Sequence, residues 1–330
     1  MIDSEHAGRI FKIKNQREFL KTALEVFHYQ YNNNRLYRDF CINLGRGLEA
    51  VNSVEDIPFI PVEFFRNHKI ITGCTRTQIV FESSGTTGVV PGKHFVSDLT
   101  LYEESFITTF SRFYGNPDEY LILALLPSYT ERKGSSLVYM VNKLVEKSTN
   151  PKSGFYKENS AGLIRTVTEA KEVNSKILIF GVSFALLDLA EKSVPNMTGV
   201  IIMETGGMKG RRKELTRQEL HKILMEKLKV DTVHSEYGMT ELLSQAYSAG
   251  EGIFHCPAWM KIMIRDPQDP LTIYDRPRFT GGINIIDLAN INSCSFIATN
   301  DLGRLHEDGG FEVLGRFDNS DIRGCNLMAE

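Results

Sequence analysis

The sequence has few cysteines, no long apolar run and almost no net charge. Its five cysteines are scattered and form no Cys-x-x-Cys pair, which favours reduced thiols in a cytoplasm over a disulfide framework. The longest purely aliphatic stretch, residues 121–126, is too short to span a bilayer, and residues 1–16 lack the apolar core of a signal peptide. A net charge of −3 excludes a bulk basic surface for nucleic acid. We therefore predict a soluble cytoplasmic protein.

An ordinary globular composition is present, with 42% hydrophobic and 24% charged residues over a chain of 330. Up to about Phe65 the pattern is polar and helix-like. Short β-rich runs then alternate with helical ones, which indicates a layered α/β domain. After about Phe254 we expect a more β-rich, looped part. The predicted strands are 78–81, 120–126, 176–180, 199–203 and 231–233, and the predicted helices are 136–147, 184–191 and one capped at Thr216.

A segment rich in glycine and hydroxyl side chains follows the first predicted strand. Residues 82–88 are Glu-Ser-Ser-Gly-Thr-Thr-Gly. Small hydroxyl residues between glycines allow backbone N–H groups and hydroxyls to close around phosphate oxygens. It is not a Walker loop, because Thr87 and His94 stand where that loop needs a glycine and a Ser or Thr. A flexible surface turn is the alternative interpretation.

A second candidate segment, residues 204–213, combines two glycines with a basic run. Gly206 and Gly207 would allow a flat group to approach the backbone, and Lys209 and its basic neighbours could face phosphate or carboxylate. A solvated basic turn is the alternative, because most charge runs are solvated.

The third candidate, residues 236–241, is Glu-Tyr-Gly-Met-Thr-Glu. Tyr237 could stack on a purine, Thr240 could bond a phosphate oxygen, and Glu241 could bind Mg²⁺. A helix that starts with Thr240 as its cap explains the same residues equally well.

The last candidate lies near the end of the chain, in residues 299–303 and 315–325. Asp301 reads as a turn residue that could accept hydrogen bonds from two ribose hydroxyls. A simple hairpin, with its turn at residues 308–310, is the alternative.

Two other patterns are weak. Ser183 stands at a strand-to-helix turn like a nucleophile elbow, but Ala185 replaces the second glycine of that motif. His255 and Cys256 lack a spaced partner pair, so a packed pair is favoured over a metal site.

Taken in order, the four candidate segments resemble the motifs of the adenylate-forming enzymes, which include acyl-CoA synthetases, peptide-synthetase adenylation domains and luciferases. The likeness covers residues 83–318. Within that superfamily the chain is most similar to the acyl-protein synthetases of bacterial luciferase operons, the long-chain-fatty-acid–luciferin-component ligases. The passages that carry this likeness are LPSYTERKGSSLVYMV, ETGGMKGRRKELTRQELH and LGRFDNSDIRGCNLM.

The resemblance implies ATP and Mg²⁺ as cofactors and a role for each motif residue. The implied roles are a phosphate loop of Ser83, Ser84, Gly85, Thr86, Thr87 and Gly88; an adenine site of Gly206, Gly207, Tyr237 and Gly238; α-phosphate contact by Thr240 with help from Lys209; Mg²⁺ binding by Glu241; ribose contact by Asp301 and Arg316; and a hinge at Asp318.

The resemblance also singles out Cys325. In the acyl-protein synthetases a cysteine close to the C-terminus carries the acyl group, and Cys325 stands in the matching position. A buried structural thiol is the alternative, but a position five residues from the chain end suits an acceptor better. Only 12 residues follow Asp318, so we expect the superfamily's mobile C-terminal domain to be absent.

These observations predict an α/β adenylate-forming domain over residues 66–318, a helical N-terminal segment over 1–65 packed on it, and a tail over 319–330. The predicted enzyme is an acid–thiol ligase that activates a fatty-acid carboxylate as acyl-AMP and transfers it to a protein cysteine. An acyl reductase or another acyl-acceptor protein would be its partner. The alternatives are an acyl-CoA ligase of the phenylacetate-CoA ligase type and an inactive nucleotide-binding scaffold.

Overall fold

In the part of the chain that the structure describes, two large β-sheets and a short hairpin pack with the helices given below. The computed structural model describes residues 8–73, 76–83, 90–127, 134–157, 159–206, 215–274, 277 and 279–317. The helices are α1 Gln16–Asn33, α2 Arg35–Asn43, α3 Phe64–Asn67, α4 Leu99–Tyr114, α5 Ser136–Lys147, α6 Ser160–Glu172, α7 Ser183–Ala190 and α8 Arg217–Leu228. None of these described helices is both long and apolar enough to cross a membrane.

The strands are β1 Ile60–Pro61, β2 Ile79–Glu82, β3 Lys93–Val96, β4 Tyr120–Leu125, β5 Gly154–Phe155, β6 Lys176–Val182, β7 Ile201–Thr205, β8 His234–Tyr237, β9 Ala246–Ser248, β10 Ile253–Phe254, β11 Met260–Arg265, β12 Ile273–Tyr274, β13 Thr280–Asp287, β14 Phe296–Leu305 and β15 Phe311–Arg316. The short β2 and β3 pair with each other as an antiparallel hairpin.

The first large sheet has the strand order β5-β4-β6-β7-β8-β9. Its strands are parallel except for β9, which runs antiparallel to β8. Every residue of β4 is buried, as is all of β6 after its first residue, because helices that connect parallel strands cover both faces of the sheet. The carboxyl ends of parallel strands lie at one edge, which is where α/β proteins bind ligands.

The second large sheet is formed after residue 253, as the fading of helical patterns predicts. Its order is β10-β15-β14-β13-β11-β12, and the two-residue strand β1 pairs in parallel with β14. The hairpin between β14 and β15 turns at residues 306–310, where Asp308 Oδ1 accepts a hydrogen bond from Gly310 N at 2.9 Å. The sheet therefore places Asp301, in the middle of β14, directly opposite Arg316 of β15.

Several local predictions are confirmed. The helix over 136–147 has the predicted bounds, and the strands at 78–81, 120–126 and 176–180 match β2, β4 and β6 within two residues. Thr216 caps α8, where its Oγ1 accepts from Glu219 N at 3.2 Å and its own N–H donates to Glu219 Oε2 at 2.8 Å. The capping-box spacing thus locates the start of α8.

The predicted bounds of two strands, 231–233 and 199–203, are wrong. No strand covers 231–233, because the strand begins at His234 and ends at Tyr237. Strand β7 lies two residues later than predicted. Both strands end in polar residues, and a prediction from apolar runs does not include such residues. In the structure these residues are buried: Glu204, Thr205, Ser235 and Glu236. Polar residues at the ends of these strands therefore lie inside the protein.

The N-terminal helices contact the loop between β13 and β14 through Gln30 of α1. Gln30 is fully buried, and its Nε2 donates to the carbonyl of Ile291 at 2.9 Å. Its Oε1 accepts from Ser295 N at 3.0 Å. One side chain therefore satisfies backbone groups on both sides of this loop.

We expect Gln30→Ala to lower the free energy of unfolding by about 2–4 kcal/mol, because it leaves buried backbone groups without partners. Urea unfolding followed by circular dichroism measures the change. Asn32→Ala is the matched control, since Asn32 is exposed and its side chain bonds only to its own helix, at His28 O. Equal stability of the two variants would contradict the anchoring role.

Candidate nucleotide site

Glu241 lies beside the first residue of the predicted phosphate loop. A Cβ atom at Gly92 would be 2.5 Å from Glu241 Oε1 and 3.3 Å from Ser83 Oγ, so both side chains lie against this glycine. Ser83 Oγ accepts from Gly92 N at 2.7 Å, and Ser83 N donates to Gly92 O at 2.9 Å. A side chain at this position would displace the Glu241 carboxylate from the place where it lies. The fold thus joins two motifs that are far apart in sequence.

The carboxyl group of Glu241 is nearly inaccessible to water. Burial raises its pKa to about 7, and the charges of Arg66 and Arg316 oppose this effect only in part. A cation beside this group would favour its ionised form. Within the described ranges, no group of three or more His, Cys, Asp or Glu side chains could hold a metal ion. A single carboxylate fits Mg²⁺ bound mainly by phosphate oxygens and water.

Tyr237, Asp301 and Arg316 form a hydrogen-bonded row across the two sheets. Tyr237 Oη donates to Asp301 Oδ2 at 2.8 Å, and Arg316 Nε donates to Asp301 Oδ1 at 3.2 Å. The Asp301 side chain is 9% exposed and that of Arg316 is 79% exposed. The sequence context predicts that Asp301 is a turn residue, and this prediction is wrong. Asp301 lies in strand β14, and its hydrogen bonds with Tyr237 and Arg316 orient its carboxylate. Each carboxylate oxygen keeps a lone pair for a further donor.

Gly206 and Gly238 lie at the carboxyl ends of the neighbouring strands β7 and β8. The carbonyl of Gly206 lies 2.6 Å from Ser183 Oγ, and the same hydroxyl lies 2.6 Å from Glu204 Oε1. Ser183 is buried and bonds a carboxyl group and a backbone carbonyl, so it supports the Gly206 turn. These contacts give it a structural role rather than that of a hydrolase nucleophile.

Two residues that sequence reasoning missed hold the turn after β8. His94 Nδ1 lies 2.8 Å from the carbonyl of Thr240, which can only accept, so Nδ1 carries the hydrogen. Asn290 Nδ2 donates to the carbonyl of Glu241 at 2.8 Å, and Asn290 Oδ1 lies 3.0 Å from His94 Nε2. Burial lowers the pKa of His94 to about 4, against the raising effect of these oxygens. We call Asn290, His94 and the two carbonyls the turn clamp.

The conformation of residues 238–243 excludes one of the two interpretations of Thr240, the cap of a helix. Residues 238–243 form a turn and contain no helix, so the capped-helix alternative is wrong. Thr240 takes part in the turn clamp through its backbone carbonyl. Its side chain as a phosphate contact stays a prediction.

The remaining site predictions lie outside the described residues. These are Ser84, Gly85, Thr86, Thr87, Gly88, Gly207, Lys209, Asp318 and Cys325. The structure therefore places Ser83, Gly206, Tyr237, Gly238, Thr240, Glu241, Asp301 and Arg316. His255 and Cys256, for which the sequence favours a packed pair over a metal site, are among the described residues. His255 Nε2 lies 4.0 Å from Asp308 Oδ2, and burial raises the pKa of the Cys256 thiol.

Comparison with known proteins gives relatives by sequence and by fold, although no family model matches the chain. A protein named long-chain-fatty-acid–luciferin-component ligase from Vibrio harveyi is 21% identical, over 96% of this chain and 89% of its own length. A protein of the same name from Aliivibrio fischeri is 24% identical, over 93% of this chain and 86% of its own length.

Solved structures extend the comparison. One is 2-hydroxyisobutyryl-CoA ligase with 2-HIB-AMP and CoA, with a TM-score of 0.68 and 13% identity over 97% of this chain and 73% of that chain. This chain has the fold of the adenylate-forming ligases. A second such ligase, O-succinylbenzoate coenzyme A synthetase from Bacillus subtilis with AMP, has a TM-score of 0.52 and 18% identity over 74% of this chain and 64% of that chain. The resemblance that the motifs predict is thereby confirmed.

We expect Asn290→Ala to lower the free energy of unfolding by about 1–3 kcal/mol, because the Glu241 carbonyl loses its buried hydrogen-bond donor. It should also weaken ATP binding, since the Tyr237–Glu241 turn is no longer fixed. Urea unfolding and calorimetric titration with ATP and Mg²⁺ measure the two effects. The control is Asn196→Ala, an exposed asparagine whose side chain bonds only within its own turn, at Thr198. Unchanged ATP affinity would refute a role for the turn clamp in nucleotide binding.

Proposed function

We propose that the protein activates a fatty-acid carboxylate with ATP, forming an acyl-adenylate and pyrophosphate. The observation that carries this proposal is the convergence of three motifs on one site. Glu241 lies against Ser83 at the start of the phosphate loop, while Tyr237, four residues earlier, bonds Asp301. The names of the relatives from Vibrio harveyi and Aliivibrio fischeri support a fatty acid as the substrate.

Described residues would contribute binding groups for the ribose, the adenine and the phosphates of ATP. Asp301, held by Tyr237 and Arg316, accepts hydrogen bonds from the ribose hydroxyls. Gly206 and Gly238 lie at the edge of the parallel sheet and, with Gly207 and Tyr237, would line the adenine.

The phosphates would lie between the loop 83–88, Thr240 and Glu241. Mg²⁺ held by Glu241 would neutralise phosphate charge. The loop and Lys209 or Arg211 would bind the remaining oxygens and stabilise the charge that develops at the α-phosphate.

The first step needs positioning and charge neutralisation more than a side-chain base. An oxygen of the substrate carboxylate attacks the α-phosphorus in line, and the bond between that phosphorus and the pyrophosphate oxygen breaks. The products are acyl-AMP and pyrophosphate. The oriented row of Tyr237, Asp301 and Arg316 fixes the nucleotide while the carboxylate approaches.

For the second step we propose that the Cys325 thiolate attacks the acyl carbonyl, forms a thioester and releases AMP. Arg316 contacts Asp301, and the nine residues from Arg316 to Cys325 reach at most about 30 Å when extended. The tail therefore starts at the site where the acyl-AMP forms. Arg323, two residues before Cys325 in the sequence, would favour the thiolate, and an acyl reductase or another acceptor protein would then receive the acyl group.

The described cysteines are poorly suited to carry the acyl group. Cys41 and Cys294 are buried. Burial raises the pKa of Cys41 to about 12, and it also raises the pKa values of Cys256 and Cys294 above their usual range. Since the thiolate is the nucleophile, these thiols would be unreactive near neutral pH.

We expect the purified protein to exchange labelled pyrophosphate into ATP when Mg²⁺ and a fatty acid are present. Asp301→Asn should raise the KM for ATP roughly tenfold, because the ribose loses a charged acceptor. Asp308→Asn is the matched control, since Asp308 lies in the exposed β14–β15 turn. No exchange with any carboxylate from short to long, despite ATP binding, would favour the nucleotide-binding scaffold instead.

We expect Cys325→Ser to keep pyrophosphate exchange but to lose hydroxylamine-labile acyl labelling of the protein. Incorporation of labelled pyrophosphate into ATP measures the exchange, and mass spectrometry of the intact chain, after incubation with ATP and a fatty acid, measures the acyl labelling. Cys256→Ser is the control and should label normally. Persistent labelling of the Cys325 variant would refute the acceptor role. Thioester product in solution, made only with coenzyme A, would identify an acyl-CoA ligase.

A further inference from the structure

A cavity of about 440 Å³ opens between the N-terminal segment and the second sheet. Its volume is within the range of about 300–1,000 Å³ that is usual for ligand pockets. Leu271 lines the cavity and is 42% exposed, so it stands at the rim. An exposed leucine beside an apolar cavity indicates a surface that another group covers. The apolar walls come from both sides of the cavity: Phe40, Leu44, Ile57 and Phe59 from the N-terminal segment, and Ile273 and Ala298 from the second sheet.

The rim of the cavity offers carboxylates to an occupant. Glu55 and Asp269 line the cavity and are exposed. Among the described residues, neither of them forms an ion pair with a cation. The cation Arg46 also lines the cavity, but its Nη1 lies 3.4 Å from Asp56 Oδ1 and is thus already paired. The rim therefore favours an occupant that combines an apolar group with a positive charge.

The chain reaches the wall of this cavity at Phe317, the last described residue. The N–H group of Phe317 donates to the carbonyl of Asn300 at 2.8 Å. The guanidinium carbon of Arg265 lies 5.4 Å from the centre of the Phe317 ring. Asn300 and Arg265 both line the cavity. Residues 318–330 therefore begin beside it.

The sequence after Phe317 contains an occupant of the matching chemistry. Ile322 is the first apolar residue after Phe317, and Arg323, which follows it directly, is the only cation of residues 318–330. Five residues of extended chain reach at most about 17 Å, which is enough to return to a cavity whose wall the chain has just left. Asp318 and Asp321 come before Ile322, on the stretch that starts beside the Arg265 guanidinium.

We propose that this cavity binds the chain's own tail, with Ile322 against the apolar walls and Arg323 against the carboxylates of the rim. A segment joined to its binding site by a short flexible linker acts at an effective concentration in the millimolar range. Contacts too weak to hold a separate molecule are therefore sufficient for the tail. The docking does not depend on adenylation, because it concerns only the place where the tail binds.

Docking would restrict the positions that Cys325 can take. Three residues separate Ile322 from Cys325, so the thiol would stay within about 10 Å of the anchored residue. The Asn300 side chain donates to Glu63 Oε1 at the cavity, and the next residue of β14 is Asp301, which binds Tyr237. The docked tail would thus lie along the strand that carries the ribose contact. This consequence for acyl transfer rests on the proposed function, whereas the docking does not.

Disulfide trapping with the native Cys325 thiol tests the docking. Leu271→Cys places a second thiol at the rim. Leu314→Cys is the matched control, because Leu314 is 50% exposed, lies three residues before Phe317 and does not line the cavity. With oxidised glutathione, we expect Cys325 to bond to position 271 at least about tenfold faster than to position 314. Peptide mapping by mass spectrometry measures both rates, and Pro270→Cys is a second rim probe if Leu271→Cys does not fold.

Tail variants assign the trapping to the proposed contacts. Ile322→Asn and Arg323→Glu should each lower the ratio of the rates at positions 271 and 314, because the tail loses its apolar anchor or its charge. The ratio cancels any change in the reactivity of the Cys325 thiol. Glu55→Lys should restore the ratio in the Arg323→Glu chain. Glu226→Lys is the control, since Glu226 is an exposed residue of α8 that does not line the cavity, and it should restore nothing.

The outcomes separate this inference from the proposed function. Equal rates at positions 271 and 314 would overturn the docking, and so would a ratio that both tail variants leave unchanged. Equal restoration by the two lysine variants would overturn the contact with the rim. Disulfides between two chains would assign the cavity to the tail of a second copy instead. Pyrophosphate exchange tests carboxylate activation separately, and its absence would leave the docking intact.

Discussion

The turn clamp is the contact on which the site depends. A single asparagine, Asn290, bonds the carbonyl of Glu241 and approaches the ring of His94, which in turn bonds the carbonyl of Thr240. The loop that carries Asn290 belongs to the second sheet, the turn that it holds follows the first sheet, and His94 lies in the β2–β3 hairpin. Three separately formed elements therefore fix one another at the place where Glu241 meets Ser83 and Gly92.

Strand β8 divides the site into two halves. Tyr237 faces the second sheet and orients Asp301, whereas Glu236 faces Thr205 and Tyr247 within the first. Because neighbouring residues of a strand point in opposite directions, adjacent residues of β8 present polar groups to two different parts of the protein. Next along the chain is Gly238, and the Glu236 carboxylate lies where a side chain at that position would be.

The sequence predicts those helices and strands whose signal lies within a few neighbouring residues. Helix 136–147 and the cap at Thr216 follow from periodicity and spacing, and the apolar runs of β4 and β6 mark the centre of the first sheet. The bounds of strand β8 do not follow from apolar runs, because half-buried His234 and buried Ser235 and Glu236 give no apolar signal. His94 and Asn290 could not be found, since their partners are distant in the chain and neither stands in a recognisable motif. The nucleotide motifs were found because their order is informative even where each alone is ambiguous.

The hydrogen bonds of Gln30 to residues 291 and 295 join two parts of the chain that are synthesised far apart in time. The first helices leave the ribosome early, but their buried partners are synthesised only after most of the chain. Contacts of such large sequence separation form late and slow folding. The apolar faces of α1 and α2 thus remain uncovered through most of translation, when incomplete chains aggregate most readily. Co-expressed chaperones should therefore matter more for the yield of this protein than for its final stability.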